Sequence, residues 1–189
     1  MLVLASSSPR RARILESLGI AFRVVVPDVD ETIPDGEDAA AAAERLARLK
    51  AEAVAAAETL PVLAADTLVV CDGRILGKPS SPDDAASMLR VLSGRGHEVV
   101  TGVCLMQDGA CRSAVERTGV TFSPMTEAEI DWYVSTGEPL DKAGAYHVDG
   151  LGALFVASVS GSPSNVEGLP VRLVVELARQ AGLVVGPGG

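Results

Sequence analysis

Short continuous apolar runs alternate along this chain with stretches of helical spacing, a rhythm that predicts an α/β fold. Leu2 to Ala5 is a run of strand length, and Pro9 to Leu18 follows with Ile14, Leu15 and Leu18 on one face and Gly19 as its stop. Phe22 to Val26 predicts a second strand. The acidic stretch Asp28 to Asp38, punctuated by Pro34 and Gly36, predicts a loop, and Ala39 to Ala57 a long helix. Val62 to Val70 is almost unbroken apolar sequence, as a central strand covered on both faces requires.

The second half is punctuated more sharply. Asp72-Gly73 between Leu-Val-Val-Cys and Arg-Ile-Leu predicts a two-residue hairpin, because Asp-Gly tolerates the positive φ angles of a type I′ turn. Ser81, Pro82, Asp83 and Asp84 open a helix whose stripe is Ala85, Met88, Leu89 and Leu92 and whose stop is Gly94. Val99 to Met106 and Ala114 to Phe122 flank Asp108-Gly109 as a further antiparallel pair. Thr126 and Glu129 form a capping box for a helix ending near Gly137; Glu138 to Gly152 then reads as a Gly-containing loop and Ala153 to Val159 as a strand. Val171 to Ala181 closes the pattern as a helix after Pro170. No repeat of fixed period occurs, and only Ala39 to Ala57 approaches low complexity.

Composition narrows the class. A chain of 189 residues at 48% hydrophobic content can bury a core without staples, as one domain or as two closely joined lobes. A net charge of −9 argues against a generic binder of nucleic acid or anionic membrane, so an anionic ligand must be caught locally. Cys71, Cys104 and Cys111 are odd in number and lack Cys-x-x-Cys spacing, which predicts reduced thiols in a cytoplasmic protein. No apolar run approaches the roughly 18 to 20 residues of a membrane span, and the N-terminal run lacks the flanks of a signal peptide.

Candidate chemistry begins at Ser6-Ser7-Ser8-Pro9-Arg10-Arg11. Two cations in the first helical turn oppose the macrodipole, and an anion would reverse the sign of that effect. Free N–H groups, hydroxyls and two guanidinium forks are the parts of a phosphate site; solvated surface arginines are the plainer reading. Asp66 is a carboxylate inside an apolar strand and needs a compensating cation or donor, met either by a structural ion pair or by a functional one. Counting outward from the Asp72-Gly73 turn sets Thr67 opposite Lys78, one residue along from Asp66. Lys50 sits in the middle of the apolar side of its helix, where it either snorkels to water or faces a cleft. Glu31, beside Asp30, could bring a second carboxylate, and two carboxylates plus phosphate oxygens and water suit Mg²⁺ or Mn²⁺. His97 and His147 lack metal-motif spacing and read as ordinary hydrogen-bonded histidines. No Walker A, Gly-x-Gly-x-x-Gly or Gly-x-Ser-x-Gly sequence is present.

Taken in order, Leu-Ala-Ser-Ser-Ser-Pro-Arg-Arg at 4 to 11, Val-Asp-Glu at 29 to 31, Ala-Asp-Thr-Leu-Val at 65 to 69, Gly-Lys-Pro at 77 to 79, Leu-Ser-Gly at 92 to 94 and Val-Thr-Gly at 100 to 102 resemble the Maf family. Glu-Pro-Leu-Asp-Lys-Ala-Gly-Ala-Tyr at 138 to 146, Gly-Leu-Gly at 150 to 152 and Val-Glu-Gly-Leu-Pro at 166 to 170 continue the resemblance over nearly the whole chain. It implies a single domain over residues 1–189, an elongated mixed sheet flanked by helices with two lobes around a central cleft, often a homodimer. It further implies a nucleoside triphosphate pyrophosphatase using a divalent metal and releasing the nucleoside monophosphate and diphosphate.

By the same resemblance Asp66 is the catalytic acceptor and, with Glu31, a metal carboxylate. Ser6, Arg10, Arg11, Lys50 and Lys78 hold phosphates, and Arg10, Thr67 and residue 149 select the base. Thr67 and the Asp-Lys-Ala-Gly-Ala-Tyr run are similar to the dTTP/UTP branch. Members of that branch show Gln before Gly-Leu-Gly and the 7-methyl-GTP branch shows Glu, whereas this chain has Asp149. Asp cannot donate an amide hydrogen bond, which implies altered or broad base selectivity. A house-cleaning pyrophosphatase of the inosine-triphosphate kind shares the fold without the Ser-Pro-Arg-Arg opening. A non-catalytic nucleotide-sensing regulator of septum formation is the reading from a different class.

Overall fold

A computed structural model describes residues 1–184 and contains a mixed seven-stranded sheet flanked by helices. In chain order the elements are β1 (Leu2–Ala5), α1 (Pro9–Ser17), β2 (Phe22–Val25), α2 (Ala39–Ala55), β3 (Val62–Cys71), β4 (Arg74–Leu76) and α3 (Pro82–Leu92). There follow β5 (Gly96–Gln107), β6 (Ala110–Phe122), α4 (Glu127–Ser135), β7 (Val156–Ser160), α5 (Pro163–Val166) and α6 (Val171–Gln180). The strands lie in the order β2-β1-β3-β5-β6-β7, with β4 paired to β3 off this path. β1 runs parallel to both neighbours, Val3 standing against Arg23 and Val62. No helix among the described residues is long and apolar enough to cross a membrane.

Contacts divide the chain into two compact units. The first holds Met1–Asp66, Thr101–Glu116 and the described residues from Gly168 to Val184; the second holds Thr67–Val100 and Arg117–Glu167. In the first, strand alternation sends Leu2 and Leu4 to one face, where they meet Leu15 of α1, Leu63, Leu105 and Leu177 of α6. Val3 and Ala5 take the other face and meet Ala47, Ala51 and Val54 of α2. Both faces are therefore covered, which is why β1 and the start of β3 are apolar without interruption. Full burial of a leucine contributes about 1.5–3 kcal/mol, so Leu4, Leu15 and Leu63 anchor this layer.

The second unit packs Leu89 and Leu92 of α3 and Ile130 and Tyr133 of α4 around Phe122, Tyr146 and Phe155. Asp72 and Gly73 take φ of 49° and 75°, and Cys71 pairs Arg74, as the Asp-Gly signal predicts. Ser81 caps α3, and Thr126 with Glu129 forms the expected capping box on α4. His97 shares a hydrogen bond of 3.0 Å with the Tyr146 hydroxyl. All three cysteines are free thiols, with the sulfurs of Cys104 and Cys111 3.3 Å apart.

Three expectations are corrected. The ladder between β3 and β4 ends at Leu76, so Lys78 does not pair with Thr67; the Gly77 carbonyl accepts instead from the Gly144 N–H, at 3.1 Å. Residues 138–152 are not an irregular loop but carry 3-10 turns at Glu138–Asp141 and Ala143–Ala145 and the start of a third at Leu151–Phe155. That third turn displaces the strand expected from Ala153, which starts at Val156, because Phe155 is needed in the core beside Tyr133. Pro163–Val166 forms a short helix capped by Ser162, too brief to leave a periodic signal.

Candidate active site

Ser6 follows β1 directly and is buried, so its hydroxyl is held rather than solvated. It accepts from the Ser8 N–H and from Arg11 Nη1, each at 3.1 Å. Ser8, at the N-cap of α1, makes no side-chain cap, and Pro9 occupies the first turn without an N–H. Arg11 is buried, its Nε donating to the Gly168 carbonyl at 2.7 Å. Burial lowers the pKa of this guanidinium below the ordinary arginine value; Asp66 pulls it back up, Arg10 lowers it further and Glu31 raises it. One buried arginine thus lies in the field of two carboxylates and a second arginine.

Lys50 does not snorkel to water. On α2 the buried positions are Ala39, Ala42, Ala43, Leu46, Ala47, Lys50, Ala51 and Val54, so the lysine occupies the core-facing stripe and is only 6% exposed. Its Nζ donates to Asp66 Oδ1 at 2.5 Å and to Glu31 Oε2 at 2.7 Å. Asp66, 7% exposed, has the cation that its place in an apolar strand demanded. Glu31 comes from the exposed loop between β2 and α2, and that loop is tied down by its neighbours. The Asp30 carboxylate accepts from the Thr32 N–H and hydroxyl, while Arg45 of α2 donates to the Thr32 carbonyl and grips Glu37 with two nitrogens.

Two hard oxygen donors converging on one cation fit the chemistry of Mg²⁺ or Mn²⁺, and each carboxylate spends only one oxygen on Lys50. Among the described residues no three His, Cys, Asp or Glu side chains gather in a metal-holding group. Any such metal would draw its remaining oxygens from a ligand and from water.

The family described as Maf-like protein matches residues 1–181. This chain belongs to that family. A dTTP/UTP pyrophosphatase of Anaeromyxobacter sp. (strain Fw109-5) is 53% identical over 96% of this chain and 89% of its own length. Another, from Symbiobacterium thermophilum, is 48% identical over 100% and 97%. Among solved structures the Staphylococcus aureus Ham1 protein aligns at a TM-score of 0.54 with 19% identity, covering 96% of this chain and 98% of that one. A HAM1 protein from Coxiella burnetii aligns at 0.51 and 19%, covering 95% and 100%. These two likenesses concern the fold alone.

Of the residues singled out in this Maf-like sequence, the first unit brings together Ser6, Arg11, Glu31, Lys50 and Asp66, with Arg10 near enough to act on Arg11. Thr67, Lys78 and Asp149 belong to the second unit: Thr67 is half-buried in β3, Lys78 is exposed beyond β4, and Asp149 is exposed just before the turn at Leu151–Phe155. Sequence reasoning missed Gly168 and Arg45. Both act through long-range bonds, one to a backbone carbonyl and one to a loop, and neither leaves a local pattern.

Proposed function

We propose that this chain hydrolyses nucleoside triphosphates between the α and β phosphates, yielding the nucleoside monophosphate and diphosphate, with dTTP and UTP as the first substrates to test. The names of its full-length relatives support this choice of substrate. The observation that carries the reading is the buried Asp66 carboxylate, held by Lys50 together with Glu31 and lying in the field of Arg11. A carboxylate fixed through one oxygen keeps the other for a water, and cations beside it suit the charge that develops on a leaving diphosphate.

In this reading Asp66 orients the attacking water and takes its proton. Ser6, Arg10, Arg11 and Lys50 hold phosphate oxygens, and Lys78 joins them. Arg10, Thr67 and Asp149 select the base. Glu31 and Asp66 hold Mg²⁺ or Mn²⁺, which supplies charge neutralisation on the triphosphate. Asp149 accepts hydrogen bonds but donates none, so base preference is broader than in a member with Gln at this position.

The test is diphosphate release from dTTP, UTP, dCTP, GTP and ITP with Mg²⁺ or Mn²⁺. Wild type should turn over at least one of them, and Asp66→Asn should fold yet lose about 10²–10⁴-fold in kcat. Wild-type turnover by that variant would remove Asp66 from the mechanism.

A further inference from the structure

Glu138 lies in the second unit, three residues beyond the end of α4, with its side chain 19% exposed. Its Oε1 accepts from the Tyr133 hydroxyl at 2.8 Å and from the Gly152 N–H at 3.0 Å, and its Oε2 from the Leu151 N–H at 3.1 Å. The Tyr133 oxygen in turn accepts from the His147 N–H at 3.0 Å, and His147 Nδ1 stands 4.0 Å from Glu138 Oε2. Burial pushes the Glu138 pKa up, but the donors from Leu151, Tyr133 and Gly152 and the nearby His147 outweigh it, so the carboxyl sits below its usual range.

These bonds bracket residue 149. The backbone lies so close that a Cβ at Gly150 would stand 2.3 Å from Glu138 Oε2, and one at Gly152 2.6 Å from the Tyr133 oxygen. The Gly-Leu-Gly spacing is thus what allows the chain to lie down on Glu138 and Tyr133. Both ends of the segment are anchored separately: the ring of Tyr146 meets Phe122 edge-on at 4.8 Å, and that of Phe155 lies 5.5 Å from Tyr133. Removing the carboxylate would therefore free the middle of the segment and leave its ends in the apolar core.

We propose that Glu138 is a positioning residue for base selection: by holding Leu151, Gly152 and Tyr133 it fixes the backbone that presents Asp149 to the substrate. This rests on the role given to Asp149 under the proposed function. Substituting Gln keeps the shape and one acceptor oxygen but turns an NH₂ donor towards backbone N–H groups, leaving at least one without a partner.

The experiment compares wild type, Glu138→Gln and Tyr133→Phe by steady-state kinetics across dTTP, UTP, dCTP, GTP and ITP, with amide hydrogen exchange over residues 147–152. In Glu138→Gln the amides of Leu151 and Gly152 should exchange faster. The kcat for the best substrate should stay within about threefold, while the KM ratio between best and worst bases shrinks by about tenfold. Tyr133→Phe should move both readouts the same way by less, and it carries the test should the first variant fail to fold. A folded variant with faster exchange and the wild-type base ratio, or with kcat reduced equally on every base, overturns the proposal and leaves the proposed function intact. Wild-type inactivity on the whole panel overturns both.

Discussion

Lys50 is tolerated in an apolar stripe because two carboxylates accept from its ammonium, at 2.5 and 2.7 Å. Taking away one partner is worse than taking away both. Lys50→Met leaves Asp66 buried without its bonded cation and should cost about 3 kcal/mol in urea unfolding, whereas Asp66→Asn leaves the lysine with Glu31 and should cost less. The double variant should be more stable than the sum predicts, by about 1 kcal/mol or more, since one interaction is lost in both backgrounds. Strict additivity would show that the pair is not coupled. His97 obeys the same rule with no ion to help it. Its Nε2 meets Tyr146, its Nδ1 is buried without a partner, and burial lowers its pKa from 6.5 to about 4. Between those values the unfolded chain binds a proton that the folded one refuses, so stability rises with pH through this window and levels off above it. From pH 6.5 down to about pH 5 the loss should be on the order of 2 kcal/mol, and His97→Phe, packed against Phe122 and Tyr146, should flatten that slope in denaturant titrations.

Helix α2 owes its position to a glycine on the strand beneath it. A Cβ on Gly102 of β5 would stand 2.2 Å from the carbonyl oxygen of Ala43 and 2.5 Å from the nitrogen of Glu44, backbone atoms that no rotamer change can move. Gly102→Ala should therefore lift the helix, lower stability by about 3 kcal/mol and reduce diphosphate release, because Lys50 lies two turns further along α2. Unchanged melting temperature and turnover would mean that α2 is seated by its alanines alone. Other elements owe their limits to caps visible in the chain: Asp38 accepts from two N–H groups of α2, and Ser81 and Thr126 do the same service for α3 and α4. The segment from Glu138 to Phe155 has no such local logic. Its turns depend on Glu138 and Tyr133 reaching backbone groups thirteen and fourteen residues away in neither a helical nor a strand rhythm, and a periodicity argument accordingly reads a loop followed by a strand.

Across the molecule, strands, helices and hairpins were readable because each is specified by neighbours within a turn or two: β1, α1, β3, the Asp-Gly turns and the capping box of α4 stand where spacing and cap residues put them. The anomalous residues were readable too, since a carboxylate in an apolar strand and a lysine in an apolar stripe announce an unmet need for a partner. Who the partner is was not readable. Asp66, Lys50 and Glu31 are separated by sixteen and nineteen residues, and Arg11 reaches a carbonyl at Gly168. Local periodicity carries no information on such distances, so these pairings follow only from how strands are ordered and helices laid against them. Hydrophobic spacing is a short-range code that survives in one dimension; charge compensation is a long-range condition that has a solution only once the chain is folded.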